Sequence, residues 1–71
     1  MIEVEIMTLG EKLREIRKKN DLTKQQLSSL LNVPKDRIKL YETGEEIPSD
    51  FYLNAFAQHF SIEVEELLSL K

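Results

Sequence analysis

Only three residues, Asn32-Val33-Pro34, separate two apolar-periodic segments of this chain. A helix pattern that stops so abruptly and restarts at once leaves little choice of geometry. The two helices must meet at a steep angle across a tight turn. Asn32 suits the end of the first helix, because Asn tolerates the left-handed backbone that closes a helix. Pro34 suits the start of the second, where its missing N–H is not needed. Val33 is placed to plug the angle between them.

The rest of the chain reads as helices around this turn. Thr8-Leu9-Gly10-Glu11 and Thr23-Lys24-Gln25-Gln26 both match the capping box, a hydroxyl followed three residues later by Glu or Gln. After the first box, Leu9, Leu13 and Ile16 share one helical face. Lys12, Arg14, Lys18 and Lys19 fall on the other, and Asn20 is the expected left-handed terminator. After the second box, Leu27, Leu30 and Leu31 form the apolar stripe. A third helix is expected over about 35–42, with Ile38 and Tyr41 inward and Gly44 past its end. Ser49 caps a fourth, in which Phe51, Leu53, Phe56, Ala57 and Phe60 supply the core. A fifth covers about 64–70, with Leu67 and Leu68 facing the bundle and Ile62 beneath it. The fold class is therefore all-α, a five-helix bundle with a helix-turn-helix at its second and third helices. Two segments are expected: residues 1–7 as an N-terminal arm and 8–70 as the helical domain. Ile2-Glu3-Val4-Glu5-Ile6 alternates like a short strand, too short to stand alone. It reads as a docked or frayed arm, or as a strand pairing with its copy in a dimer.

Composition excludes several alternatives. With 71 residues and no cysteine, the chain has neither a disulfide nor a thiolate metal site. His59, the only histidine, has no partner at metal-ligand spacing, and no serine has the setting of an activated nucleophile. Gly10 and Gly44 are the only glycines, too few for a phosphate-cradling loop. No catalytic residue, metal or cofactor is expected. No apolar run approaches the roughly 20 residues that span a bilayer. Met1 to Met7 has no basic start or small-residue cleavage site, so a cytoplasmic protein is the expectation. The formal charge of −3 argues at first against a nucleic-acid partner. Its distribution argues otherwise. Thr8 to Gly44 holds nine basic residues and five acids, a balance of +4, while the remainder holds Lys71 and eight acids, −7. Distant charges are largely screened, so the local field governs what a surface attracts.

Taken together, Leu9, Leu13 and Arg17, the run Leu22-Thr23-Lys24-Gln25-Gln26-Leu27, then Val33, Ile38, Tyr41-Glu42-Thr43-Gly44 and Ile47-Pro48-Ser49 form a recognisable pattern. Leu53, Ala57, Phe60, Ile62, Val64 and Glu66-Leu67-Leu68 complete it. The run from Leu9 to Leu68 resembles the helix-turn-helix domain of the lambdoid phage repressors, Cro proteins and small bacterial regulators. The resemblance implies a sequence-specific DNA-binding transcriptional regulator, a repressor, whose third helix enters the major groove of operator DNA. By position, Lys35, Asp36, Arg37 and Leu40 would face the bases and Lys39 the backbone. Lys24, with Gln25 beside it, would meet phosphate or an outer base, and Thr43 would approach the backbone past the helix end. Arg17 and Glu42 match a structural ion pair of the family. The side-chain chemistry agrees. Arg37 or Lys35 can donate to guanine O6 and N7, Asp36 can accept from cytosine N4, and Leu40 can only touch a thymine methyl.

This sequence departs from the family pattern at Pro34, where a Ser or Thr cap is usual. It departs again at Glu45 and Glu46, where Lys or Arg often faces the phosphates. A homodimer is expected, joined through helix 5 (Leu67, Leu68, Leu70) or through the Ile2-Val4-Ile6 arm. A competing reading keeps the bundle but makes it a protein-interaction module, or an antitoxin-like partner, with the acidic loop and helix 5 engaging another protein.

Overall fold

The computed structural model describes residues 7–71, so the expectations for residues 2–6 lie outside the described residues. Five helices follow in order: α1 (Leu9–Lys19), α2 (Lys24–Leu31), α3 (Lys35–Thr43), α4 (Asp50–Phe60) and α5 (Val64–Leu68). Both capping boxes form. The Thr8 hydroxyl accepts from the Glu11 amide at 3.2 Å and the Glu11 carboxylate accepts from the Thr8 amide at 2.9 Å. Those bonds hold the Glu11 carboxyl below the usual carboxylate range. Thr23 and Gln26 repeat the arrangement at 3.1 and 2.8 Å. Each box satisfies two backbone donors that a helix start otherwise leaves open.

The turn between α2 and α3 closes on Asn32, which is left-handed at φ 56°. Ser28 tightens it from within. Its carbonyl accepts from the amides of Asn32 and Val33, and its hydroxyl donates to the Val33 carbonyl at 2.6 Å. Val33 packs half-buried against the core. Pro34 begins α3 without any side-chain cap, and Gly44 closes that helix in the left-handed region at φ 84°.

The core gathers Leu9, Leu13 and Ile16 from α1, Leu27 from α2, and Ile38 and Tyr41 from α3. Tyr52, Leu53, Phe56 and Ala57 of α4 and Leu67 of α5 complete it. Tyr52 ties α4 to α3, its ring centroid 4.7 Å from that of Tyr41. Burial, reinforced by the negative charge of Glu42, raises the Tyr52 hydroxyl well above its ordinary pKa.

Four local expectations need correction. Asn20 is not left-handed (φ −96°); the left-handed residue is Asp21, one position later. Asn20 instead uses its side-chain amide, which donates to the Ile16 carbonyl at 2.7 Å. Phe51 lies outside the core, 85% exposed. At 3.6 residues per turn it points almost opposite the face shared by Tyr52, Leu53, Phe56 and Phe60. Leu30 is 48% exposed because the buried stripe of α2 centres on Leu27 and runs toward Leu31. Helix α5 ends at Leu68, and Leu70 and Lys71 bond three residues back in a tightened final turn.

Two contacts fix α3 against α1. Glycine at position 10 allows the backbones to touch: a Cβ there would stand 2.5 Å from the Glu42 carbonyl oxygen and 2.6 Å from that of Tyr41. Farther along α1, Arg17 reaches Glu42 through two parallel bonds, Nε to Oε2 at 2.7 Å and Nη2 to Oε1 at 3.0 Å. Both side chains are buried, 7% and 5% exposed. Arg17 Nη1 also donates to the Leu22 carbonyl at 2.7 Å. One guanidinium thus joins α1, the α1–α2 connection and the end of α3.

Glu42→Ala leaves Arg17 charged and unpaired in the core, so a loss of about 3–5 kcal/mol is expected. That is a large part of the roughly 5–15 kcal/mol that holds a domain together. Urea or thermal unfolding measures it, and a midpoint equal to that of the unsubstituted protein would refute the role. Gly10→Ala meets carbonyl groups that cannot swing aside. The overpacking cost, about 1–3 kcal/mol, exceeds the helix-propensity gain of at most about 1 kcal/mol. A net loss of about 1 kcal/mol would lower the Tm by about 4–8 °C. An unchanged or higher Tm would show that the two helices can separate freely.

Candidate nucleic-acid interface

Helix α3 is held by its inward side chains, Ile38, Tyr41 and Glu42, and turns the rest outward. Lys35, Asp36, Arg37, Lys39 and Thr43 are exposed and Leu40 is half-buried. Lys24, the first residue of α2, is half-buried, and Gln25 beside it is exposed.

The structure brings five of the eight candidate residues to one groove beside α3, and Arg37, Leu40 and Thr43 do not line it. The groove is open and bounded by the end of α1, the start of α2 and the start of α3. Lys24, Gln25, Lys35, Asp36 and Lys39 line it, joined by Lys18 and Asp21, with Arg17 and Leu22 deeper in. None of its four lysines or two aspartates takes part in an ion pair among the described residues. The N-termini of α2 and α3 both border the groove, and each carries partial positive charge on its outward amides. With no side-chain cap at Pro34, the Lys35 and Asp36 amides keep their donor capacity for a ligand or solvent, while the Arg37 amide donates to the Pro34 carbonyl at 3.0 Å. A surface of this kind attracts and orients anionic oxygens.

The loop after α3 folds back over the helix. The Glu46 amide donates to the Leu40 carbonyl at 3.2 Å. The Glu46 carboxylate accepts from Nη1 of Arg37. That bond, with the attraction of the opposite charge, raises the Arg37 pKa further. The Thr43 hydroxyl lies 3.1 Å from both the Leu40 carbonyl and the Glu45 carboxylate, with a single proton to give. Glu45 and Glu46, which stand where the family often carries Lys or Arg, are therefore each within hydrogen-bonding distance of a candidate residue of α3. Phe51 and Ile47, 85% and 69% exposed, are the largest apolar surfaces near this loop.

Sequence reasoning placed Lys18 on the outer face of the first helix without a role and left Asp21 out of the interface. The signal that could place both was the short connection Asn20-Asp21-Leu22. It is too brief to carry the end of α1 away from the start of α2. No cluster of potential metal ligands occurs among the described residues.

Residues 8–70 match the family described as the helix-turn-helix domain. A curated relative, the HTH-type transcriptional activator BcrR of Enterococcus faecalis, is 35% identical over 63 residues. The alignment covers 89% of this chain but 31% of that relative, so the chain spans about a third of its length. The c2 repressor of P22, solved with a synthetic operator, superposes with a TM-score of 0.82 at 24% identity, covering 93% of this chain and all of that one. SinR, a master regulator for biofilm formation solved with DNA, gives 0.78 at 21% identity, over 86% of this chain and 98% of that one. A transcriptional regulator from Listeria innocua gives 0.78 at 30% identity, over 84% of this chain and 56% of that one. The chain belongs to the helix-turn-helix domain family, with the fold of the lambdoid repressors.

Proposed function

We propose that this chain is a sequence-specific DNA-binding transcriptional regulator, acting as a repressor, with α3 in the major groove of an operator. The observation that carries the reading is the groove of lysines unpaired among the described residues, Lys18, Lys24, Lys35 and Lys39, at the converging starts of α2 and α3. The major groove, about 12 Å wide, admits one α-helix. With α3 seated there, Lys35, Asp36, Arg37 and Leu40 face base edges. Lys24, Gln25 and Lys39 meet the flanking backbone, and Thr43 lies past the helix end. Family membership supports this reading, as do the names of the similar proteins, which include an activator and a repressor solved with a synthetic operator. No helix among the described residues is long and apolar enough to cross a membrane, which accords with a cytoplasmic regulator. Non-enzymatic action as a homodimer completes the proposal, with half-sites about one helical turn apart, near 34 Å. The interface would use α5 or the N-terminal arm.

A second reading, the bundle as a docking module for another protein, draws support from the exposed Phe51 and Ile47. Salt dependence separates the two. DNA binding through phosphates gives log K falling with log salt by about 0.9 for each phosphate neutralised. Lys18, Lys24 and Lys39, the groove lysines not assigned to bases, set an expected slope of roughly −3 per protomer. Lys24→Ala should weaken all duplexes evenly and reduce that slope by about one unit. Failure to bind any duplex from a random pool in low salt would overturn the DNA reading.

A further inference from the structure

The acidic loop after α3 has a role beyond covering the helix. We infer that Glu46 is a positioning residue for Arg37, holding its guanidinium in one orientation so that Arg37 discriminates more sharply at the base it reads. The inference rests on the DNA-binding reading above and names one source of its specificity.

The geometry favours orientation over competition. A guanidinium has five N–H donors in a planar fork. Glu46 takes one of its end nitrogens, Nη1. Nε and Nη2 have no partner among the described residues, and a two-donor edge of this kind pairs with guanine O6 and N7. Glu46 is itself held in place. Its amide bonds the Leu40 carbonyl at 3.2 Å, one turn along α3 from Arg37, so the carboxylate rides on the helix it serves. The Arg37 side chain is 51% exposed and within reach of a ligand, whereas the Glu46 side chain is 34% exposed and lies closer in. An exposed ion pair is too weak to keep an arginine from a base that offers two acceptors. It is sufficient to select one rotamer of a long side chain that otherwise samples many. The pair also cancels the charge of Glu46, which explains how an acid is accommodated beside a surface meant for DNA.

These roles predict opposite changes in two measurable quantities. With the full chain, the preferred duplex is first selected from a random pool in low salt. Affinities are then measured for that site, for each single-base variant, and for an unrelated duplex. Glu46→Gln should reduce the preference at one base position by about 2- to 10-fold, the effect of leaving one long side chain unordered. The unrelated duplex should bind as well or slightly better, because a negative charge is gone, and the Tm should hold. Glu46→Asp should restore part of the preference. Arg37→Ala should flatten the same position by about 5- to 150-fold and make Glu46→Gln silent. Two results would overturn the inference. One is Glu46→Gln tightening every duplex by a common factor with the base profile intact, the behaviour of a plain repelling charge. The other is the same loss of preference from Glu46→Gln when Arg37 is already alanine. If no duplex is selected, or Arg37→Ala leaves every position unchanged, the underlying assignment of Arg37 to a base fails and takes this inference with it. That outcome is distinct from one in which Arg37 reads a base and Glu46 proves irrelevant.

Discussion

The orientation of α3 against α1 turns first on a buried charge pair. Arg17 and Glu42 lie 25 positions apart in sequence, yet they meet through two parallel bonds inside the protein. Taking both charges out of water is costly, and a well-packed apolar pair in their place would be neutral or more stable. What the ionic pair supplies is direction. A guanidinium and a carboxylate satisfy each other in one plane and few registers. Arg17 uses a further nitrogen to hold the Leu22 carbonyl, and no buried side-chain polar atom among the described residues is left without a partner. Mispacked arrangements of α1 and α3 would strand at least one of these groups. The close approach at Gly10 acts on the same interface by shape alone.

With α3 so placed, its two flanks have different electrical characters. The flank toward α2 is rich in lysines that have no ion-pair partner among the described residues and is bordered by two helix starts. The flank toward α4 is lined by carboxylates already engaged with α3. This arrangement reconciles a chain of net negative charge with a surface that attracts anions. Four lysines line the groove against two aspartates, while eight of the thirteen acids fall in sequence outside residues 8–44, and charges farther away than a Debye length of about 8–10 Å are largely screened.

Features set by neighbouring residues were legible in the sequence. The capping boxes at Thr8 and Thr23, the left-handed Asn32 and the inward Ile38 and Tyr41 all follow from spacing and side-chain chemistry. Asp21 and Ser61 were not legible as left-handed residues: Asn20, which tolerates that conformation as readily as Asp, stands directly before Asp21, and serine does not favour it. Phe51 misled because aromatic size suggests burial, whereas helical phase decides it. The engagement of Arg37 by Glu46 was hidden for a different reason. Gly44 announces that the chain turns after α3, but not that the turn carries the Glu46 amide onto Leu40 and its carboxylate onto Arg37. The role of Gly10 was equally silent, since the same residue also fits an ordinary first helical turn.

The outward residues of α3 and the contacts that orient it share no atoms. Position 10, Arg17 and Glu42 act on the concealed end of the helix, while Lys35, Asp36, Arg37 and Leu40 project from its opposite surface. Selection can therefore rewrite the chemical text that this helix presents without re-engineering its mount. Drift at position 10 would do the reverse, tilting an unaltered text away from whatever it was shaped to meet.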